Sequence, residues 1–152
     1  MQSLKKNTYT RQEWLGILAR SDDNQLREFW SALNLEPNFT WMRTPEIGSV
    51  MVQGRMGGTG NPFNVGEVTV TRSAIKLGTG EVGHAYAQGR CKRKSQIIAL
   101  IDALMQTDKN TLLIKNILIP LSEQNDKRNK NIQSEAEKTK VDFFTLVRGD
   151  DE

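Results

Sequence analysis

The sequence is poor in the side chains that bind metals and form disulfides. It contains one cysteine, Cys91, and one histidine, His84, in 152 residues. A single cysteine cannot form an internal disulfide, which agrees with a reducing compartment. Zinc sites of the Cys₂His₂ or His₃ type need more of these residues than the chain has. We therefore predict that this chain alone holds neither a metal nor a cofactor.

The chain also lacks a long hydrophobic run. No apolar stretch approaches the roughly 20 residues that cross a bilayer as a helix, and the first residues, MQSLKKNTYT, contain no apolar signal core. Hydrophobic residues make up 37% and charged residues 26%, as in ordinary soluble globular proteins. We expect a cytoplasmic protein without a membrane partner, folded as a single domain over residues 1–152. Its net charge of +3 favours anionic partners only slightly.

The usual phosphate-binding motifs are missing as well, although residues 53–72, QGRMGGTGNPFNVGEVTVTR, are rich in glycine. A P-loop requires Gly-Lys, and this dipeptide does not occur. The dinucleotide motif G-x-G-x-x-G would require a glycine after Gly58 and Gly60 at position 63, which is Phe63. The glycines therefore predict a close approach of the backbone to a phosphate, to another chain or to the next strand, and the missing motifs argue against the known phosphate cradles.

Residues 10–36 predict a helical hairpin. Thr10 and Glu13 form a capping box at the start of the first helix. The second helix begins near Asp22 or Asp23, whose carboxylates suit a helix N-terminus, and it ends before Pro37.

Residues 38–89 predict an antiparallel sheet of about four strands. The strand-like segments are rich in β-branched or aromatic residues and are separated by Pro, Gly and Asn. Their connections are too short for parallel crossovers. The four segments are 39–44, 49–55, 66–77 and 81–88.

The pattern of residues 92–140 predicts helices, and the pattern of residues 141–149 predicts a strand-like tail. Apolar residues recur at helical spacing from Ile97 to Met105, and residues 122–140 read as a solvated helix. The tail contains five large apolar residues, which would form an exposed patch prone to association if water surrounded them. They are Val141, Phe143, Phe144, Leu146 and Val147. The tail therefore docks, either on its own sheet or on a neighbouring chain. The whole pattern indicates the α+β class.

Two further groups of residues have a chemical interpretation and a plainer one. His84 and Cys91 could form a nucleophile pair, but a surface histidine and an incidental cysteine explain them better. A cationic cluster at the start of the Ile97 helix could bind phosphate, but a solvated positive patch is the better interpretation. Nucleic-acid binding would require interleaved aromatics, which the cluster lacks, so it is only a remote alternative. The cluster is Arg90, Lys92, Arg93 and Lys94.

Five further motifs follow one another along the chain: RMGGTG (55–60), GEVTVTR (66–72), QGR (88–90), ALIDALMQ (99–106) and VDFFTLVRGD (141–150). In content and in order they resemble the PhnG family. The resemblance extends from the first helix to the C-terminus, and the glycine loop and the Phe-Phe tail are specific to the family.

The resemblance implies a role in phosphonate catabolism. PhnG proteins are subunits of the bacterial carbon–phosphorus lyase system and work in a cytoplasmic complex with PhnI, PhnH and PhnJ, to which the ATP-binding-cassette proteins PhnK and PhnL attach. In that scheme PhnI replaces the adenine of ATP with a phosphonate, giving α-D-ribose 1-methylphosphonate 5-triphosphate when the phosphonate is methylphosphonate. ATP is thus a substrate of the complex. PhnG looks like a required partner in this transferase without activity of its own, and no catalytic residue can be carried over.

The positions that match the family motifs provide the candidate site residues. Arg55, Arg72 and Arg90 match the family motifs at strand ends or loops, where a guanidinium can pair with a phosphate or with a partner's carboxylate. Asp102 matches too, and its mid-helix position predicts a buried, hydrogen-bonded role. Two hypotheses remain open: a purely structural subunit, or one that contributes to a shared triphosphate or phosphonate site at the PhnI boundary. The remaining candidates are Gly57, Gly58, Thr59 and Gly60 in the loop, and the tail residues Val141, Phe143, Phe144, Leu146 and Arg148 for partner docking.

Overall fold

A computed structural model of the protein describes residues 8–140. The docking tail predicted at residues 141–149 lies outside the described residues, so its docking stays a prediction. The α+β class is confirmed: helices precede and follow an antiparallel sheet. Short 3₁₀ and π turns occur at Met56–Gly58 and Ile114–Leu118. The other elements are α1 (Arg11–Arg20), α2 (Asp23–Ala32), β1 (Phe39–Arg55), β2 (Pro62–Leu77), β3 (Val82–Gln88), α3 (Lys92–Leu104), α4 (Asn110–Leu113) and α5 (Ile119–Lys138).

Local sequence signals fix the starts of the first two helices as predicted. The amide of Thr10 donates to Glu13 Oε2 at 2.8 Å, and the amide of Glu13 donates to Thr10 Oγ1 at 3.4 Å, which completes the capping box. Asp22 caps α2 by accepting from the amides of Asn24 and Gln25 at 3.0 and 3.2 Å. Both helices pack against α3 more closely than against each other.

The predicted antiparallel sheet is confirmed, with three strands among the described residues, in the order β1-β2-β3, where about four were predicted. Segments 39–44 and 49–55 join into β1, a strand of 17 residues. The pairing register with β2 shifts between Arg43 and Glu46, the point where Pro45 lies. A bulge on an edge strand accommodates proline without ending the strand, because its missing N–H is not needed by the ladder there.

Helix α3 covers one face of the sheet and forms the centre of the core. Small residues on β3 let the helix approach closely, and Gly83 is the tightest point, since a Cβ there would collide with the carbonyl oxygen of Ala99. Ile97, Ile98 and Ile101 of α3 are fully buried. From Asn110 to Lys138 the chain stays helical through the π turn, as predicted, and its last turns are exposed on all sides. Within residues 8–140, no helix is long and apolar enough to cross a membrane.

Asp102 ties α1, α3 and the outer edge of β3 together. Its carboxylate is fully buried and accepts from Arg11 Nε and Nη2 at 3.1 and 2.6 Å, from Trp14 Nε1 at 2.8 Å and from the amide of His84 at 2.8 Å. The carboxylate also raises the pKa of Arg11, chiefly through the side-chain hydrogen bond. The amide of His84 and the carbonyl of Val82 are bonded to side chains of the helices, so the beginning of this edge is not available to a further strand. The predicted buried role of Asp102 is confirmed.

Candidate functional site

The long β1–β2 hairpin extends beyond the part of the sheet that the helices cover. We call residues 47–66, which comprise the ends of both strands and the loop between them, the arm. None of these residues is buried, and all but Val50, Gly54 and Gly60 are exposed. A two-stranded hairpin without a covering layer is only marginally stable in water, so the arm is a candidate interaction surface.

The arm is nearly free of charge and carries much of the exposed apolar surface. It holds one charged residue, Arg55, and six glycines. Six of the eleven exposed large hydrophobic side chains found in the described part of the chain lie on it. Depletion of charge together with enrichment in Met and aromatic residues marks the core of protein–protein interfaces. The six side chains are Ile47, Met51, Val52, Met56, Phe63 and Val65.

The glycine loop closes the tip of the arm. Gly57 and Gly58 have φ values of 57° and 82°, a conformation that side-chain-bearing residues rarely adopt. The amide of Gly60 donates to the carbonyl of Met56 at 2.8 Å, and a Cβ at Gly60 would lie only 2.6 Å from that oxygen. Because the Gly60 amide is used inside the turn, it is not free to cradle a phosphate.

The predicted loop candidates do lie together at this tip. Arg55 Nη1 donates to the carbonyl of Gly60 at 3.3 Å, and Thr59 is exposed beside it. The guanidinium of Arg55 therefore spans the loop while most of it faces solvent. The tip of the arm is therefore compact and carries a single charge, that of Arg55.

The structure separates the three candidate arginines. Arg55 is opposite Pro62 in the ladder, whereas Arg72 is opposite Glu46. These two rungs are nine positions apart along β1, which corresponds to about 30 Å along the strand. One small ligand cannot contact both arginines. Arg90 is exposed in the turn between β3 and α3, and no hydrogen bond of its side chain occurs within residues 8–140.

Arg72 lies on the face of the sheet opposite the helices, which we call the open face. Its Nε lies 2.6 Å from Glu46 Oε1, and Arg43 Nη1 lies 3.0 Å from the same oxygen. The open face also carries His84 and Tyr86, both exposed. No described helix packs against it.

One of the four residues of the cationic cluster at the start of α3 does not lie on the surface. Lys94 is buried, with Nζ 2.6 Å from the carbonyl oxygen of Ser21 and 2.9 Å from Asp23 Oδ1. Lys94 therefore fastens α3 to the start of α2 and is not available to an external anion. The exposed members are Arg90, Lys92 and Arg93.

The structure does not support a nucleophile pair of His84 and Cys91. Cys91 caps α3, its Sγ accepting from the amide of Lys94 at 3.4 Å, while His84 lies on the open face, and no contact joins the two in the described part of the chain. Nor does any group of three or more His, Cys, Asp or Glu side chains come together there to hold a metal ion.

Sequence reasoning missed the apolar arm and the neighbours of Arg72. The signal for the arm was present, namely a run of 20 residues with a single charge. Arg43, Glu46 and Tyr86 had no such signal, because only the strand register brings them beside Arg72.

Comparison with known proteins shows the family to which the chain belongs. Residues 9–149 match the family model described as "Phosphonate metabolism protein PhnG". The chain is 38% identical over 141 residues to a protein of Rhizobium meliloti (strain 1021), named "Alpha-D-ribose 1-methylphosphonate 5-triphosphate synthase subunit PhnG". The match covers 93% of this chain and 90% of that relative. The chain therefore belongs to the PhnG family of phosphonate metabolism proteins.

Proposed function

We propose that the protein is a non-autonomous subunit of the synthase that makes α-D-ribose 1-methylphosphonate 5-triphosphate, within the cytoplasmic carbon–phosphorus lyase complex. The name of the Rhizobium relative supports membership of a multi-subunit enzyme. In this proposal PhnI carries the exchange of adenine for phosphonate, with PhnH, PhnJ, PhnK and PhnL as further partners. We expect no activity from this chain alone.

The observation that carries the proposal is the uncovered, nearly uncharged arm. Full burial of a Val, Ile, Met or Phe side chain is worth about 1.5–3 kcal/mol. The six apolar side chains of the arm are between 40% and 66% exposed. Covering them would therefore contribute on the order of 6 kcal/mol, before the cost of association is subtracted. The fitting partner is a subunit with an apolar, uncharged cleft, and PhnI is our first choice.

The experiment is co-expression with PhnI, followed by affinity purification and size-exclusion chromatography. We would introduce a charge on the arm with Val65→Glu, at a side chain that is 63% exposed. The matched control is Ile132→Glu, at a side chain that is 58% exposed on α5, away from the arm. Both changes spare the core, so both variants are expected to fold.

We expect Val65→Glu to abolish or strongly weaken co-purification, because an unpaired charge would enter an apolar interface, and Ile132→Glu to leave it unchanged. Equal co-purification of both variants would refute the role of the arm. A tail deletion, residues 141–152, tests the second predicted docking element separately.

A second candidate function is a contribution to a shared triphosphate or phosphonate site. Arg72 and Arg43 converging on one carboxylate oxygen favour this candidate over a purely structural role. It predicts that Arg72→Ala leaves the complex assembled but strongly reduces adenine release. If assembly and turnover both survive Arg55→Ala and Arg72→Ala, the shared-site candidate is wrong.

A further inference from the structure

The open face contains a concave site, which we call the trough, with Ala74 at its base and Arg43 and Arg72 at its sides. Ala74 of β2 is flanked by Arg43 on β1 and His84 on β3, because the register pairs Ala74 with both. In the next row, Arg72 is flanked by Glu46 and Tyr86. Since Ala74 is small and its neighbours are long, a concavity of about 390 Å³ opens above it.

The charges around the trough favour an anion. Arg43 and Arg72 share one carboxylate oxygen of Glu46, so one negative charge faces two positive ones. Lys76 is exposed two residues beyond Ala74 on the same face of β2. The face is therefore cationic even with His84 neutral.

The position of the shared oxygen shows where an incoming oxyanion would lie. Glu46 Oε1 lies within 3.0 Å of nitrogen atoms from both guanidiniums, so a phosphoryl oxygen at that point could meet both arginines. The side chains of Arg43, Glu46 and Arg72 are 46–50% exposed. Exposed ion pairs contribute little free energy, so Glu46 can be displaced without a large cost.

The rest of the trough fits an organic body. The aromatic ring of Tyr86 and the side chain of Met42 line it together with Ala74, and both are more than half exposed. His84 offers an imidazole with no hydrogen bond from its ring to other residues in the range 8–140. The volume lies at the small end of the range for ligand pockets.

We propose that this trough binds the phosphoryl oxyanion of a small phosphate- or phosphonate-bearing ligand between Arg43 and Arg72, with Glu46 occupying the oxyanion position when the ligand is absent. The identification of the natural ligand rests on the proposed function, whereas the site itself does not. In the complex, this would be the place where the chain contributes to a shared substrate site.

The test is isothermal titration calorimetry of the full-length chain, and of its complex with PhnI, with methylphosphonate and with ATP as separate probes. We expect at least one probe to bind. Arg43→Ala and Arg72→Ala should each weaken binding by about tenfold or more, since each removes a charge-assisted contact to the oxyanion. The matched control, Arg27→Ala, removes an exposed arginine of α2 whose hydrogen-bond partner among residues 8–140 is Asn24, and it should change nothing.

Glu46→Gln distinguishes an anion site from a merely structural cluster. The substitution removes the negative charge that competes with the ligand for both guanidiniums, so the probe should bind several-fold more tightly, whereas a structural role predicts unchanged or weaker binding. Unchanged or weaker binding would overturn the proposal, and so would equal binding by the two arginine variants and the wild type.

Two further results would also overturn the proposal. One is the absence of binding of either probe to the chain and to the complex. The other is binding to the free chain that disappears on assembly, because a group of the partner would then occupy the trough. The titration of the free chain needs no partner, so its failure would leave the co-purification result, and with it the proposed subunit role, untouched.

Discussion

Asp102→Ala is expected to destabilise the protein through the loss of four hydrogen bonds at one buried carboxylate. The amide of His84 and Nε1 of Trp14 would lose their acceptor, and a buried donor left without a partner costs about 1–3 kcal/mol. Arg11 would suffer less, because its side chain is 45% exposed and Nη2 keeps the carbonyl of Val82 at 3.1 Å. With a further contribution from lost packing around Ala, we expect the free energy of unfolding to fall by about 3–4 kcal/mol.

The matched control is Glu46→Ala. Glu46 also receives two ion-pair contacts from arginines, but its side chain is 46% exposed. Exposed ion pairs are worth roughly 0–1 kcal/mol, so this variant should unfold almost like the wild type. The two carboxylates thus differ in burial and not in the presence of cationic partners.

Urea unfolding of the full-length chain, followed by tryptophan fluorescence, measures both variants. With a slope of about 1–3 kcal/mol per molar urea, Asp102→Ala should lower the midpoint by more than about 1 M at an unchanged slope. Equal midpoints for Asp102→Ala and Glu46→Ala would show that burial does not control these energies, and the reasoning above would be wrong.

Three further substitutions test separate parts of the fold. Gly83→Ala places a Cβ against a carbonyl of α3 and should cost about 1–3 kcal/mol, read as a lower melting temperature; an unchanged melting temperature would contradict the close approach. Lys94→Met removes a buried ammonium that pairs with the carboxylate of Asp23, and it should lower the free energy of unfolding in urea by about 1–3 kcal/mol. An unchanged free energy of unfolding would mean that the ammonium is not needed there. The hydroxyl of Thr79 donates to Glu81 and lowers the pKa of Glu81, so Thr79→Ala should raise that pKa toward its ordinary value in an NMR titration. Because the lowered pKa stabilises the fold above the unfolded-state pKa and this contribution is lost as the pH falls, the variant should lose stability at neutral pH but not in acid.

Sequence reasoning succeeded where the signal is local. The capping box of Thr10 and Glu13 lies within one turn of helix, so its geometry follows from four consecutive residues. The mid-helix position of Asp102 between apolar neighbours correctly predicted burial. Its partners Arg11 and Trp14 lie 91 and 88 residues away, and no local pattern connects them.

Sequence reasoning failed where tertiary context overrides a local breaker. Pro45 and Gly48 predicted the end of a strand, but β1 continues through both because it lies at the edge of the sheet and bulges at the proline. The cationic cluster before Ile97 was interpreted as a solvated patch, but Lys94 is buried and its ammonium donates to the carbonyl of Ser21.

The candidate site was predicted only in part. The glycine loop was placed correctly between antiparallel strands, and its residues do lie together. The sequence could not show that Arg55 and Arg72 lie far apart, because the distance between them depends on how far β1 and β2 stay paired. The trough around Ala74 depends on the same register across all three strands.

The central claim is that the arm is covered by another subunit, and amide hydrogen exchange tests it most directly. Mass spectrometry would compare exchange in the free chain with exchange in the purified complex containing PhnI. We predict that peptides from residues 47–66 become strongly protected on assembly, while the exposed end of α5, residues 127–138, serves as the internal reference. Equally rapid exchange of the arm in both states would contradict the claim.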